Sequence, residues 1–126
     1  MVGTDPCSSL PGNGGLRVLQ YRTLADARTD CRALTLAMKA KHAAFHTGFS
    51  GAKLVLHAVT EPARLDRRRL ASEVAGVLNS LRGFVYTGCD LNTTAADMEL
   101  LSRHTPYVLS SLTNRDVGAR ILPRAT

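Results

Sequence analysis

The chain has 126 residues, a length that fits one domain with a single hydrophobic core and is too short for two. Hydrophobic residues make up 44% and charged residues 21% of it, which excludes general disorder, and its apolar runs are far shorter than a membrane-spanning helix. The N-terminus has neither the basic nor the apolar segment of a signal peptide, so we expect a cytoplasmic protein.

The formal net charge of +6 raises the question of nucleic-acid binding. The basic residues are scattered apart from Arg67-Arg68-Arg69, which stands at the start of a predicted helix. The aromatic residues are few and are not interleaved with basic ones, as they would be on an RNA-binding sheet. We therefore interpret the charge as a solvated face and expect no nucleic-acid and no membrane partner.

The cysteines and lysines are the candidate reactive residues of this chain. Three cysteines at wide spacing, with no histidine at metal-ligand spacing, indicate reduced thiols and no metal site. Lysine is rare in this arginine-rich chain, and all three lysines fall within a short stretch, at Lys39, Lys41 and Lys53. A desolvated lysine can act as a base or nucleophile, which arginine cannot, so the cluster indicates chemistry. A solvated helix-end charge at Lys41 and a strand-edge charge at Lys53 are the alternatives.

The first half of the chain predicts one strand and one long helix. Residues 1–15 are rich in Gly, Pro and Ser and predict a loop, and residues 16–21 predict a strand. A helix follows to about residue 43, opened by Thr23 with Asp26 as a capping pair. Its apolar stripe is expected to be Leu24, Ala27, Cys31, Leu34 and Met38.

The second half continues the alternation. Residues 46–52 predict a loop and residues 53–58 a strand that is buried on both faces. Pro62 and Asp66 open a helix that ends before Gly83, a strand follows at residues 84–87, and a last helix covers residues 95–104. The second helix has an expected stripe of Leu70, Ala71, Val74, Val77, Leu78 and Leu81.

This order predicts a layered α/β domain with a largely parallel sheet flanked by helices. We expect a single domain over residues 1–112 and a loose basic tail over residues 113–126. Ligands of parallel sheets bind beyond the carboxyl ends of the strands, so the loop at residues 88–94 is a candidate wall of a site.

Three sequence blocks, in order, carry a family resemblance. They are Gly14-Gly15-Leu16-Arg17 with Tyr21, Met38-Lys39-Ala40-Lys41-His42-Ala43-Ala44 with Gly51-Ala52-Lys53, and Thr87-Gly88-Cys89-Asp90-Leu91-Asn92-Thr93 with Ala96-Asp97-Met98. They resemble the Gly-Gly-x-Arg-x-x-x-Tyr, Met-x-x-Lys-Asn-Ala-Ala and Thr-x-x-Asp-x-Gly-Thr motifs of the glutamate/leucine/phenylalanine/valine dehydrogenases. The chain thus resembles the N-terminal substrate-binding and dimerisation domain of that family.

The resemblance implies roles for particular residues. Lys41 would hold the α-carboxylate of an amino or 2-oxo acid, Lys53 would activate water against an iminium carbon, and Asp90 would move a proton to and from the substrate nitrogen. A fixed cation and an adjacent acid/base pair suit that chemistry. The remaining substrate-binding positions would be Gly14, Gly15 and Met38.

The chain also departs from the family pattern. Ser50-Gly51-Ala52-Lys53 replaces a Gly-Gly-Gly-Lys loop, and the added side chains would narrow it. His42 replaces an asparagine, whereas Asn92 replaces a glycine more mildly because asparagine tolerates left-handed backbone. The family's first helix and strands, which help to pair its subunits, would be missing.

A nicotinamide site is not expected in this chain. Gly12-Asn13-Gly14 is only a partial fingerprint, because Arg17 occupies the third glycine position and a loop precedes it. We expect no cofactor to be bound here, with NAD(P) supplied by a separate partner domain.

Three hypotheses stay open: a dehydrogenase module with a separately encoded nucleotide domain, a cofactor-independent enzyme acting on an amino or keto acid, and a non-catalytic interaction module. Self-association is also expected.

Overall fold

The computed structural model describes residues 1–109. Five strands and three helices follow one another as β1 (Val2–Thr4), β2 (Gly12–Asn13), β3 (Leu16–Leu19), α1 (Leu24–Phe45), β4 (Ser50–His57), α2 (Arg67–Ser80), β5 (Val85–Tyr86) and α3 (Ala95–Ser102). A short 3-10 turn at Pro62–Arg64 precedes α2. The proposed boundary at residue 112 and the tail at residues 113–126 lie outside the described residues.

The long strand β4 organises the sheet. It pairs in parallel with β2 and β3, which follow one another along one edge, and antiparallel with β1 along the other edge. Strand β5 extends the sheet in parallel beyond β2. The predicted α/β fold with a largely parallel sheet is confirmed, and β1 is its antiparallel member.

The two faces of the sheet differ because successive side chains on a strand point to opposite sides. On one face Leu16, Val18, Ala52 and Leu54 join the buried side of α2 and α3 in the main hydrophobic core. On the other face Val55 packs with α1 in a smaller cluster that contains Ala27 and Cys31. Lys53 shares this second face by strand alternation, because it lies two positions from Val55.

Side chains at each helix start satisfy the free backbone N–H groups there. The Thr23 hydroxyl accepts from the N–H of Asp26, as predicted, and the Asp66 carboxylate caps α2. Thr94 and Asp97 form a reciprocal capping box on α3. No helix within residues 1–109 is both long and apolar enough to cross a membrane.

Several expectations about element boundaries and burial are wrong. Residues 1–15 contain β1 and β2 rather than loop alone, and the predicted loop at residues 46–52 ends at Ser50, where β4 begins. Pairing with neighbouring strands makes these segments extended, although their composition favours turns. Leu24 and Val77 are exposed instead of lying on the buried stripes of α1 and α2.

Two glycines offer a matched test of packing. A Cβ on Gly14 would lie 1.6 Å from the carbonyl oxygen of Ala52, whereas one on Gly76 in α2 would meet nothing within 4 Å. Gly14→Ala is expected to destabilise the fold by about 3 kcal/mol or more, through overpacking against a backbone that cannot move aside. Gly76→Ala is expected to stabilise it by about 0.5–1 kcal/mol through helix propensity. Denaturant unfolding measures the free energy of unfolding of both variants. Equal effects would contradict the close approach of Gly14 to the Ala52 carbonyl of β4.

Candidate functional site

A buried lysine and a loop aspartate meet on the α1 face of the sheet. Lys53 is 4% exposed, and its Nζ lies 3.1 Å from Oδ2 of Asp90. A buried ammonium needs a paired anion, and Asp90 supplies it from the loop after β5. Two residues that are far apart in the sequence are thus joined in one acid/base pair.

Hydrogen bonds to β3 fix the loop that carries Asp90. The Asp90 N–H donates to Oγ1 of Thr93 over 2.9 Å, and the Thr93 hydroxyl donates to the carbonyl of Leu16 over 2.8 Å. Asn92 has a φ of 61°, which confirms the left-handed backbone expected there, and its amide donates to the Val18 carbonyl over 2.7 Å. The carboxylate of Asp90 is therefore presented by a constrained turn.

The predicted glycine pair lies against Lys53 and Asp90. A Cβ on Gly15 would come within 2.7 Å of both Asp90 Cβ and the Cys89 carbonyl oxygen. A Cβ on Gly14 would come within 3.2 Å of the Cα of Lys53. Both glycines are required by close backbone packing, and they bring β3, β4 and the Asp90 loop together at one point.

Arg17 also belongs to this cluster, although it was not singled out as a site residue. Its Nε donates to Oδ2 of Asp90 over 2.7 Å, and its Nη1 donates to Oδ2 of Asp30 on α1 over 3.3 Å. The Tyr21 hydroxyl donates a short hydrogen bond to the same Asp30 oxygen. The Gly-Gly-x-Arg-x-x-x-Tyr block was the available signal, since it contains both Arg17 and Tyr21.

The electrostatic balance keeps Asp90 ionised. Burial alone would raise the pKa of Asp90, but hydrogen bonds from Arg17, the Leu91 backbone and Lys53 outweigh it and bring the pKa below its ordinary value. Burial, followed by the hydrogen bond to Asp30, raises the pKa of Tyr21 well above its ordinary value. At neutral pH the cluster therefore contains an aspartate anion and a protonated phenol.

Lys41 and Met38, the other predicted substrate-binding residues, lie on α1. Lys41 is exposed and Met38 is half-buried. The neighbouring Lys39 is exposed and forms an ion pair with Asp5, with 3.1 Å between Nζ and Oδ2. The assignment of a substrate carboxylate to Lys41 stays a prediction.

His42, which replaces the family asparagine, joins α1 to β2. Its Nε2 lies 3.1 Å from Oδ1 of Asn13 and 3.2 Å from the Asn13 carbonyl oxygen, and its Nδ1 lies 2.7 Å from the Thr47 hydroxyl. The amide of Asn13 in turn donates to the Tyr86 carbonyl over 3.2 Å. Burial lowers the pKa of His42 below its ordinary value, although the hydrogen bond with Asn13 opposes this effect.

The expectation that Ser50 and Ala52 narrow a substrate loop is wrong. Both residues are buried in β4, and Ala52 belongs to the main core on the α2 side, opposite the face of Lys53. Gly51 faces α1, where an added Cβ would lie 2.4 Å from the Lys39 backbone nitrogen. The substitutions therefore alter the packing of the sheet. They no longer support the hypothesis of a cofactor-independent enzyme.

The partial glycine fingerprint begins in a paired strand. Gly12 and Asn13 form β2, which is paired on both sides by β4 and β5. A dinucleotide site needs a glycine turn that opens a helix, so that the phosphates meet free N–H groups. Gly12 is instead paired within β2, and no helix begins there.

The thiols lie in different environments. Cys31 is buried on α1 and the burial raises its pKa, while Cys7 and Cys89 are exposed; all three are free. Within residues 1–109 there is no group of three His, Cys, Asp or Glu side chains arranged for a metal ion.

Sequence comparisons identify the relatives of this chain. No profile of a known protein family matches it. Phenylalanine dehydrogenase from Caldalkalibacillus thermarum is 30% identical over 99 residues, which cover 79% of this chain and 26% of that protein. Valine dehydrogenase from Streptomyces coelicolor is 30% identical over 93 residues, which cover 74% of this chain and 25% of that protein.

A solved structure agrees with these relatives. L-Tryptophan dehydrogenase from Nostoc punctiforme superimposes with a TM-score of 0.74 and 29% identity, over 79% of this chain and 29% of that one. The chain is therefore related to the N-terminal part of the amino-acid dehydrogenases. Its similarity is to the N-terminal domain of these amino-acid dehydrogenases, and the chain spans about a quarter of the length of the curated relatives it matches.

The same fold recurs in a more distant amino-acid dehydrogenase. The hetero-hexameric glutamate dehydrogenase from Thermus thermophilus matches with a TM-score of 0.62 and 22% identity, over 81% of this chain and 26% of that one. At this identity the likeness concerns the fold alone.

The buried imidazole of His42 predicts acid sensitivity. A folded-state pKa below the unfolded value of about 6.5 means that the unfolded chain binds a proton first as the pH falls. The neutral His42 therefore contributes its full stability above about pH 6.5. That stability is lost progressively as the pH falls from about 6.5 to the lower pKa of the folded state. Thermal unfolding between about pH 7.5 and about pH 5 should therefore show a steeper loss for the native chain than for His42→Asn. Parallel curves for the two proteins would contradict this account.

Proposed function

We propose that this chain is the substrate-binding domain of an amino-acid dehydrogenase and binds an L-amino acid or the corresponding 2-oxo acid beside Lys53 and Asp90. The observation that carries the proposal is the buried Lys53–Asp90 pair, with 3.1 Å between Nζ and Oδ2. The family relationship of the chain supports it. The cluster gives a small substrate both a proton donor and a proton acceptor.

Asp90 is the group for the substrate nitrogen in this proposal. Its pKa is lowered because hydrogen bonds from Arg17, the Leu91 backbone and Lys53 outweigh the opposing effect of burial, so it is an anion that can accept a hydrogen bond from a substrate ammonium. Proton transfer within such a bond requires the heavy atoms to approach to about 3 Å. The fixed turn at Asp90 supplies that positioning.

Lys53 is the group for the reacting carbon. Once its ammonium has passed a proton on, the free amine can remove a proton from water that attacks an iminium carbon. Its burial excludes bulk water from this position, and its bond to Asp90 orients the Nζ. Lys41 would hold the α-carboxylate, as a cation for charge-assisted hydrogen bonds.

In this proposal, hydride transfer uses NAD(P) held by a separate nucleotide-binding partner. Association of this chain with such a partner, or with further copies of itself, completes the proposed assembly.

Ligand binding tests the proposal directly. Calorimetric titration with a panel of L-amino acids and 2-oxo acids should identify a binder. Lys53→Met should then weaken its binding about tenfold or more, because a hydrogen bond to a charged group contributes about 1.5–3 kcal/mol. Lys41→Ala should weaken it similarly, while Lys39→Ala, a matched change of an exposed lysine on the same helix, should alter affinity less than about twofold.

Two results would contradict the proposal. One is that the folded chain binds no member of the panel, alone or when mixed with candidate nucleotide-binding partners. The other is a bound acid whose affinity is unchanged by Lys53→Met. Reduction of NAD by a mixture of the chain with a partner, abolished by Asp90→Asn, would extend the support from binding to catalysis.

A further inference from the structure

The Asp90 carboxylate has two cationic partners on the same oxygen. Lys53 approaches Oδ2 from β4 at 3.1 Å, and Arg17 approaches it from β3 at 2.7 Å. Arg17 also contacts Asp30 on α1 at 3.3 Å. Two cations and two carboxylates therefore alternate in a row that joins β4, the Asp90 loop, β3 and α1. The Tyr21 hydroxyl binds Asp30 at the outer end of this row.

We propose that Arg17 is a positioning residue of the site, which holds the Asp90 carboxylate toward Lys53 while Asp30 and Tyr21 anchor the guanidinium from behind. This inference rests on the proposed function, since it assigns the groups that prepare Asp90 for a substrate nitrogen. It adds three residues to the site beyond the lysines, the glycines and Asp90.

The chemistry of the guanidinium explains why arginine suits this position. Its N–H groups are fixed in one plane, so Nε and Nη1 can address Asp90 and Asp30 together, whereas a lysine ammonium is a single point charge on a flexible chain. The alternation of β3 directs Arg17 away from the core face that holds Leu16 and Val18. The side chain is consequently available to the α1 face, where Lys53 lies.

The anchor at Asp30 also allows Asp90 to accept another cation. A substrate ammonium that reaches Asp90 would be a third positive group on that carboxylate. Arg17 can retain its bond to Asp30 while its bond to Asp90 lengthens, so the guanidinium is not left unpaired in a half-buried position. Arg17 would thereby share Asp90 with the substrate instead of blocking it.

The test must separate positioning of Asp90 from a merely structural ion pair. The charged and titratable groups placed around Asp90 are Lys53 from β4, Arg17 from β3, Cys89 in its own loop, and Asp30 and Tyr21 behind Arg17. The readout is therefore the titration of the Asp90 carboxyl itself, followed by carbon-13 NMR in the full chain without ligand.

The variants are Arg17→Met and Arg17→Lys. The control is Arg69→Met, which removes an arginine paired with Glu73 on α2, away from the Asp90 turn.

The proposal predicts that Arg17→Met raises the Asp90 titration midpoint by about one pH unit or more, since a neighbouring cation lowers an aspartate pKa by about 1–3 units. Arg17→Lys should restore part of the difference, and Arg69→Met should leave the Asp90 midpoint unchanged. An Asp90 midpoint that is the same in the native chain and in folded Arg17→Met or Arg17→Lys protein would overturn the proposal.

A ligand-binding arm distinguishes this inference from the proposed function. If an acid from the panel binds, Arg17→Met should weaken an amino acid about tenfold while Arg17→Lys weakens it less, and equal affinity for all three proteins would overturn the positioning role. If no acid binds, the proposed function fails. The NMR titration still decides whether Arg17 controls Asp90, because it needs no ligand. Should Arg17→Met not fold, the same comparison is made with Arg17→Lys.

Discussion

The site depends on one constraint, which is that the ammonium of Lys53 is buried beneath α1 and must find an anion there. Its transfer from water is costly unless a carboxylate and further hydrogen bonds compensate. Asp90 compensates at 3.1 Å, and the turn that presents it is tied by Thr93 and Asn92 to the backbone of β3. The absence of side chains at Gly14 and Gly15 lets the strands and the loop approach closely enough for this pair to form.

The sequence predicted the inner part of the site better than its surroundings. The motif blocks indicated Lys53, Asp90 and the glycine pair, which the structure brings together. Arg17 was missed as a site residue because its partners come from α1 and the Asp90 loop, and strand periodicity contains no information on such pairing. The alternation helix, strand, helix was predictable from hydrophobic spacing. The two short strands β1 and β2 were not, because a segment of two or three residues has no measurable period and is defined by its pairing with β4.

Departures from the family motifs have structural consequences that differ from one position to the next. Asn92 occupies a left-handed position at little cost, as its residue type suggested. Ala52 points into the core and leaves the Lys53 face unchanged. His42 joins α1 to Asn13 of β2, and its buried imidazole makes the stability of the folded chain dependent on pH. Local sequence alone could not distinguish these outcomes, since each depends on which face of a helix or strand the side chain occupies.

The relationship to amino-acid dehydrogenases covers most of this chain and about a quarter of the curated relatives, and the hydride-transfer chemistry is proposed to come from a partner. The most direct test of the account is mapping of amide chemical shifts in the labelled chain while an L-amino acid or a 2-oxo acid is added. The account predicts that the largest changes cluster at Gly15, Lys53 and Asp90. Changes confined to the cavity beside Leu10, His46 and Phe49, with none at the lysine–aspartate pair, would contradict it.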